Sequence, residues 1–458
     1  MSKATKATFV MLVTLCVHLP VSGHGSAAQG KGLSCGASLN WFPQTPPPTN
    51  ARPNADSDCD FYRWAWQTFL FVVQSNGGQS GPPRFLEFTT PFELFEFGAN
   101  RNLRSIPKAH IPHDLSAVVQ PGSQGVLVDQ GGRAVYYATH LNSVFVKFIR
   151  ENGYTDPDRL RGAPATQPFP KGSLEIKSSW KVVAPGEDTT RFFTVKTALP
   201  LLAFKNGQLV AEPSEAREAT VALLGLHVVG VVEGHPEFIW ATFEHNDNAP
   251  DLPPDFVPDA RVPIDTQRSW TLYPKGAKAE DCNKRPGQSP IPPLNFTNEE
   301  KQIFEPKVCV FREFPFGGDD EPEIIRGLNA SVHQRLPPSS AVWKNYGLVG
   351  AIWLNTPDRD FKENTDFTAA DAGDPGKKVL GGDKKLSNTT METFGQSTQN
   401  CFSCHNTMMQ HMGAEAILPP KRLNVSHILT KVYTHVAQSG KRGTQGCSLV
   451  TRKEGGSP

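Results

Sequence analysis

Between residues 172 and 243 the chain changes rhythm, and that change limits the fold more than any other feature. Leu174, Ile176 and Trp180 alternate with polar residues, the two-residue period of a strand with one buried face. Phe192 to Ala198, Val221 to Val232 and Glu237 to Phe243 continue in the same style. Glu233-Gly234-His235-Pro236 parts the last two and reads as a hairpin turn. The spacing predicts an antiparallel sheet as the core of the chain. An even-numbered turn puts His227 on the face of Glu244, and an odd one puts it with His245.

The flanks make the class α+β. Asp58 or Asp60 caps a predicted helix through Phe61, Trp64, Trp66, Phe69, Leu70 and Val73, whose bulk calls for burial on more than one side. Phe85 to Phe88 reads as a short strand, and Thr90 to Phe95 as a helical turn with Pro91 in its first turn. Ala134 to Glu151 reads as one helix with Leu141, Val144, Phe145 and Phe148 along a face. A Pro/Asp-rich connector covers 250–263, and Val308–Phe314 and Trp343–Leu354 read as further strands. Forty prolines and thirty-nine glycines call for many loops, while aromatic residues throughout exclude disorder. The formal net charge is +1, and two units lower once Lys3 and Lys6 leave with an export signal. No basic field is present to bind nucleic acid or a membrane surface.

Near the other end stands Cys401-Phe402-Ser403-Cys404-His405, a C-x-x-C-H run. Two thiols three residues apart can each form a thioether to one vinyl group of a haem. The histidine directly behind the second is then held where its imidazole can bind the iron. The chain has one such run, so one covalent haem c is expected, attached through Cys401 and Cys404 with His405 as an axial ligand. A redox dithiol or half a zinc site is the competing reading of C-x-x-C. Neither a second C-x-x-C nor a thioredoxin-like lead-in supports it. Ser387 or Asn388 is a candidate cap for a helix running towards the motif, with Glu392 near the reciprocal position. About sixty residues are too few for a free-standing domain. Residues 387–458 are therefore expected to pack as a short helical haem segment on a β-rich main domain spanning 29–386.

The second axial position separates the possible functions. The other ring nitrogen of His405 needs an acceptor; similarity of the motif to small cytochromes c implies a proline carbonyl a dozen or so residues on, and Pro419 or Pro420 sits near that position. On a continuous helix Met408, Met409, His411 and Met412 remain on the His405 side, where thioethers suit haem-edge packing. His427 is far enough along to reach the opposite face. Met391, a histidine from the sheet domain or an open position are the alternatives. A separate cluster, Glu244, His245, Asp247 and Asp251, reads either as a metal or substrate site or as a strand-end turn bonded to backbone amides.

Residues 1–28 read as a cleaved export signal. Lys3 and Lys6 precede an apolar run from Phe9 to Leu19, too short to span a membrane, and small residues follow. Cys16 lies in that run. A periplasmic address permits disulfides, and Cys35 with Cys59 and Cys282 with Cys309 would close ordinary loops, leaving Cys447 over.

Three stretches carry a family resemblance: Arg63-Trp64-Ala65-Trp66-Gln67-Thr68-Phe69, Phe238 to Pro250, and Asn388-Thr389-Thr390-Met391-Glu392-Thr393 followed by the haem motif. In this order the chain resembles bacterial exported cytochrome c family proteins with one C-terminal C-x-x-C-H and a large β-rich region before it. The resemblance implies a periplasmic mono-haem protein. One-electron transfer with a redox protein partner is the conservative expectation from one haem and no other cofactor motif. A haem-dependent oxidoreductase acting on a small molecule or peroxide, and a redox-sensing binding protein, are the alternatives.

Overall fold

The strands, in chain order, are β1 (Tyr136–Leu141), β2 (Leu174–Val182), β3 (Thr194–Lys205), β4 (Gln208–Val232), β5 (His235–His245), β6 (Asn295–Asn298), β7 (Ile303–Glu305), β8 (Tyr346–Leu354), β9 (Leu380–Gly382), β10 (Gln410–Met412) and β11 (Glu415–Leu418). The helices are α1 (Cys59–Val73), α2 (Pro91–Phe95), α3 (Ser143–Glu151), α4 (Pro157–Arg161), α5 (Pro322–Arg335), α6 (Pro357–Asp360) and α7 (Cys401–Cys404), joined by several 3-10 turns. The computed structural model describes residues 35–42, 58–76, 81–95, 117–120, 125–318, 322–367, 379–397 and 400–433. The expected export signal and Cys447 lie outside them.

Seven strands form one antiparallel sheet in the order β1-β2-β4-β5-β8-β9, with β3 also paired to β4. The long β4 takes β3 along its first half and β5 along its second. Val232 pairs with His235, so Glu233-Gly234 is a two-residue turn, and Gly234 has the positive φ that such a turn requires. The even count puts His227 opposite Thr242 and on the face of Glu244. The fold is α+β, as the alternation and its flanking helices predict.

One sheet face is apolar and covered by helices. α1 buries Trp64, Trp66 and Phe69, with Phe69 stacked on Phe243 at 4.3 Å and Phe61 stacked on Trp353 at 3.7 Å. Each such side chain contributes about 1.5–3 kcal/mol by leaving water. Trp66 Nε1 donates to Asn329 Oδ1 on α5 at 2.8 Å, and Asn329 also bonds the backbone N–H and C=O of Leu348. That amide bridges a break in the β5–β8 register.

Three local expectations change. The stretch 134–151 is strand β1 and then helix α3. Asn142 Oδ1 accepts from Phe145 N at 3.0 Å, and this cap starts the helix nine residues later than a single helix would. The buried face is therefore Phe145, Val146 and Ile149, while Val144 is exposed. Arg84–Glu87 is a 3-10 turn where a strand was expected. Residues 308–314 run as irregular chain with one parallel bridge, Asp251 to Arg312. Cys35–Cys59 and Cys282–Cys309 are disulfides, consistent with a compartment outside the cytoplasm. Among the described residues no helix is long and apolar enough to cross a membrane.

Candidate functional site

The second sheet face is polar at its centre, and the C-terminal segment covers it. Lys177, His227 and Thr242 form one row across β2, β4 and β5, with Glu175 one position along. The buried turn 388–393 sinks into this row. Asn388 Nδ2 donates to Thr242 Oγ1 at 2.7 Å, Thr389 N donates to Glu244 Oε1 at 2.8 Å, and the Thr390 and Ser179 hydroxyls share a bond at 2.6 Å. A Cβ on Gly225 would stand 2.9 Å from Asn388 Nδ2 and 3.1 Å from Thr390 Oγ1, so glycine gives this turn its seat.

The expected capping pattern does form here. Glu392 Oε2 accepts from Asn388 N at 3.0 Å, and the Met391 and Glu392 N–H groups return to Asn388 O. The structure then leaves the helix after a single turn, because Asn388, Thr389 and Thr390 spend their side chains on the sheet. Glu392 Oε1 reaches His227 Nε2 at 3.0 Å and Lys177 Nζ at 4.0 Å. Burial would raise the Glu392 pKa, but His227, Lys177 and the Asn388 amide outweigh it and hold the carboxyl below its ordinary value.

The motif itself is one helical turn, α7. Asn400 Oδ1 accepts from Ser403 N at 3.0 Å, and Ser403 Oγ accepts from Asn400 N at 3.1 Å, a reciprocal capping box inside the C-x-x-C spacing. Both cysteines stand as thiols, and burial pushes their pKa values up, Cys401 the further. His405 leaves the helix at φ −97° and ψ 78°. Its Nδ1 lies 2.9 Å from Val425 O. That bond assigns the ring hydrogen to Nδ1 and leaves the Nε2 lone pair available; among the described residues nothing bonds Nε2. The acceptor is Val425 and not Pro419 or Pro420, because Pro419 O is taken by Asn424 Nδ2 at 2.9 Å.

Two rings hold the imidazole. Trp240 on β5 lies 4.1 Å from it, centroid to centroid and tilted by 37°, and His427 lies 4.3 Å away at 23°. Rings so close and so nearly parallel cannot share one face, so His405 is clamped between them. His427 also places Nε2 2.9 Å from Cys404 O. The sequence separation offered His427 as a second iron ligand; the structure lays its ring beside that of His405. The intervening chain is used up in the β10–β11 hairpin, which returns residues 422–430 to the motif. Asn424 Nδ2 bonds Met408 O at 2.8 Å, and buried Lys421 gives its ammonium to Leu160 O, Arg161 O and Ala163 O at the end of α4. No continuous helix runs on from Cys404. Met409 and His411 are exposed, Met408 and Met412 are half-buried, and Met391 is buried in a cluster with Tyr137 and Leu224.

This constellation fits a covalent haem on three counts: adjacent thiols on one capped turn, an imidazole with a fixed tautomer, and a clamped ring plane. Trp240 adds a fourth. Its indole N–H is buried without an acceptor among the described residues, and such a donor suits a bound group beside His405.

The acidic cluster resolves into ion pairs. Arg312 bonds Glu244 at 2.8 Å and pairs with Asp251, while Asp247 pairs with Arg191 at 2.9 Å and Arg268 at 2.8 Å. His245 uses both nitrogens, Nε2 with Arg191 O and Nδ1 with Asp247 N, each at 3.0 Å, and stacks on Phe192 at 3.8 Å. Among the described residues no group of three or more metal-ligating side chains is assembled. The partners that matter most here, Val425, Trp240 and Lys421, carried no signal in the sequence, since two act through a backbone oxygen or a ring face and the third binds carbonyls distant in sequence. No family model, curated protein or solved structure matches the chain.

Proposed function

We propose that the chain is a periplasmic mono-haem c protein that transfers single electrons to or from a redox protein partner. One observation carries this reading: both thiols sit on one capped turn, directly before an imidazole whose Nδ1 is fixed on Val425 O. When bound, the haem supplies the one-electron couple. Cys401 and Cys404 tether it, and His405 offers Nε2 to the iron. Val425 O fixes the imidazole tautomer and raises the basicity of Nε2. Trp240 and His427 keep the ring from turning, which limits rearrangement as the charge changes.

A denaturing gel stained for haem peroxidase tests the reading on protein exported by a host that matures c-type haem. A stained band is expected, and it disappears in Cys401→Ala, Cys404→Ala. Haem that stays on the double variant through acid-acetone extraction overturns the assignment.

A second reading, an oxidoreductase acting on a small molecule or peroxide, draws support from His427. Its ring lies along His405 and its Nε2 faces Cys404 O, so that nitrogen would not be the one offered to a bound iron. Low-spin ferric spectra and no carbon monoxide binding by the reduced protein favour relay. A high-spin spectrum with rapid carbon monoxide binding favours the oxidoreductase.

A further inference from the structure

We propose that His227 and Glu392 form a proton-binding site that loads when the haem segment gains an electron, so that a proton follows the electron onto the protein. This inference rests on the haem reading above. The pair is built for the task by geometry. His227 Nε2 meets Glu392 Oε1 at 3.0 Å, and Glu392 is held ionised, so Nε2 carries hydrogen and donates. The basic nitrogen is then Nδ1, and among the described residues nothing bonds it. The His227 side chain is 12 % exposed, enough to receive a proton from solvent while it stays inside the layer that the segment covers.

Every other ionisable group facing the pair has another commitment. Lys177, paired with His227 across β2 and β4, lies over the Tyr137 ring at 5.8 Å and supplies the positive charge that balances Glu392. Burial raises the Glu175 pKa, and Ser426 Oγ donates to its Oε2 at 2.7 Å. Burial keeps the Tyr137 phenol protonated, with its hydroxyl on Thr390 O at 2.7 Å. Cys401 and Cys404 would carry no S–H once their thiols had added across the haem vinyl groups. His405 is bonded to Val425 O, and His427 Nε2 faces Cys404 O. His227 Nδ1 is the ring nitrogen of the pair with no hydrogen-bond partner among the described residues.

The coupling is electrostatic. Lys177 and His227 both act on the His405 ring, and Glu392 acts on both motif sulfurs. An electron from a one-electron donor leaves the segment one unit more negative. One proton, taken from water, lands on Nδ1 of His227, the Nε2–H to Glu392 bond stays in place, and no covalent bond of the chain breaks. In a partly desolvated layer this neutralisation favours the doubly loaded state.

Spectroelectrochemical titration of the haem-loaded protein between about pH 5 and 9 tests the proposal across the range where histidine titrates. The potential is expected to fall as pH rises. At its steepest the reduction constant should change tenfold per pH unit, about 59 mV. His227→Gln and Glu392→Gln should each flatten that slope. A measurement that needs no variant is proton uptake on electrochemical reduction, read with an indicator dye in weak buffer, where uptake approaching one proton per haem is expected. A flat wild-type profile, absent uptake, or a slope kept in both variants overturns the proposal. Protein that shows no haem stain overturns it together with the haem reading, and the stain distinguishes that failure before any titration begins.

Discussion

The two faces of the sheet are built by different means. The helix-covered face is a set of stacked rings, Phe69 on Phe243 and Phe61 on Trp353. The other face buries Thr242 and Glu244 and half-buries His227 and Lys177 beneath a turn and a one-turn helix, held by hydrogen bonds and ion pairs. Apolar packing is non-directional and sums over area, so the first face gives the molecule its stability. Directional bonds fix orientation at modest net gain, so the second face gives the motif its geometry.

The largest test of this contrast is Trp66→Ala. It empties a fully buried ring site and leaves Asn329 without its indole donor, at a cost of about 3–5 kcal/mol in denaturant unfolding. A loss below about 1 kcal/mol would break the claim that this face carries the stability.

Acid sharpens the contrast next, through a buried histidine at the end of β5. Burial lowers the His245 pKa from 6.5 to about 4, since protonating Nδ1 would also break its bond from Asp247 N. The folded value lies below the unfolded one, so the unfolded chain binds more protons between them. Stability is therefore whole above pH 6.5 and is lost as pH falls through 4, by about 3 kcal/mol. Urea unfolding at stepped pH checks this, and His245→Gln should remove the slope in that window.

Lys421→Met probes the second face. It deletes three charge-assisted bonds to the end of α4, at about 1.5–3 kcal/mol. The effect should be local, seen as faster amide exchange in 400–433 while β2, β4 and β5 stay protected. If the global midpoint falls as far as in Trp66→Ala, the two faces are not separable.

The smallest effect is expected from Asn142→Ala, which removes the α3 cap for about 1 kcal/mol. It should leave β1 intact, and an unchanged stability would show that packing of Phe145 and Ile149 alone starts the helix.

The same contrast explains what could be read from the chain. Alternation at Leu174, Ile176 and Trp180, the Glu233-Gly234 turn and the ring-rich α1 are local patterns tied to burial, so the sheet and its helix-covered face were legible. Spacing also indicated both disulfides and the motif. The second face was not legible, because its order comes from side chains meeting backbone groups far away in sequence. Asn388 and Glu392 carried a genuine capping signal, but threonines bonded to the sheet stop the helix after one turn. The stacking of His427 on His405 was not legible either, because the β10–β11 hairpin returns the chain to the motif.

Gly225 has a consequence beyond its fit. The turn 388–393 rests on the sheet as a key rests in its ward, and the depth of insertion is set by a side chain that is not there. A methyl group at that position would lift Asn388 and Thr390, and Glu392 would rise with them, away from His227 and Lys177. The distance between the sheet's charges and the motif is thus gauged by one hydrogen atom on a strand, a spacer of zero thickness that calibrates the electrical surroundings of Cys401 and Cys404 without touching either.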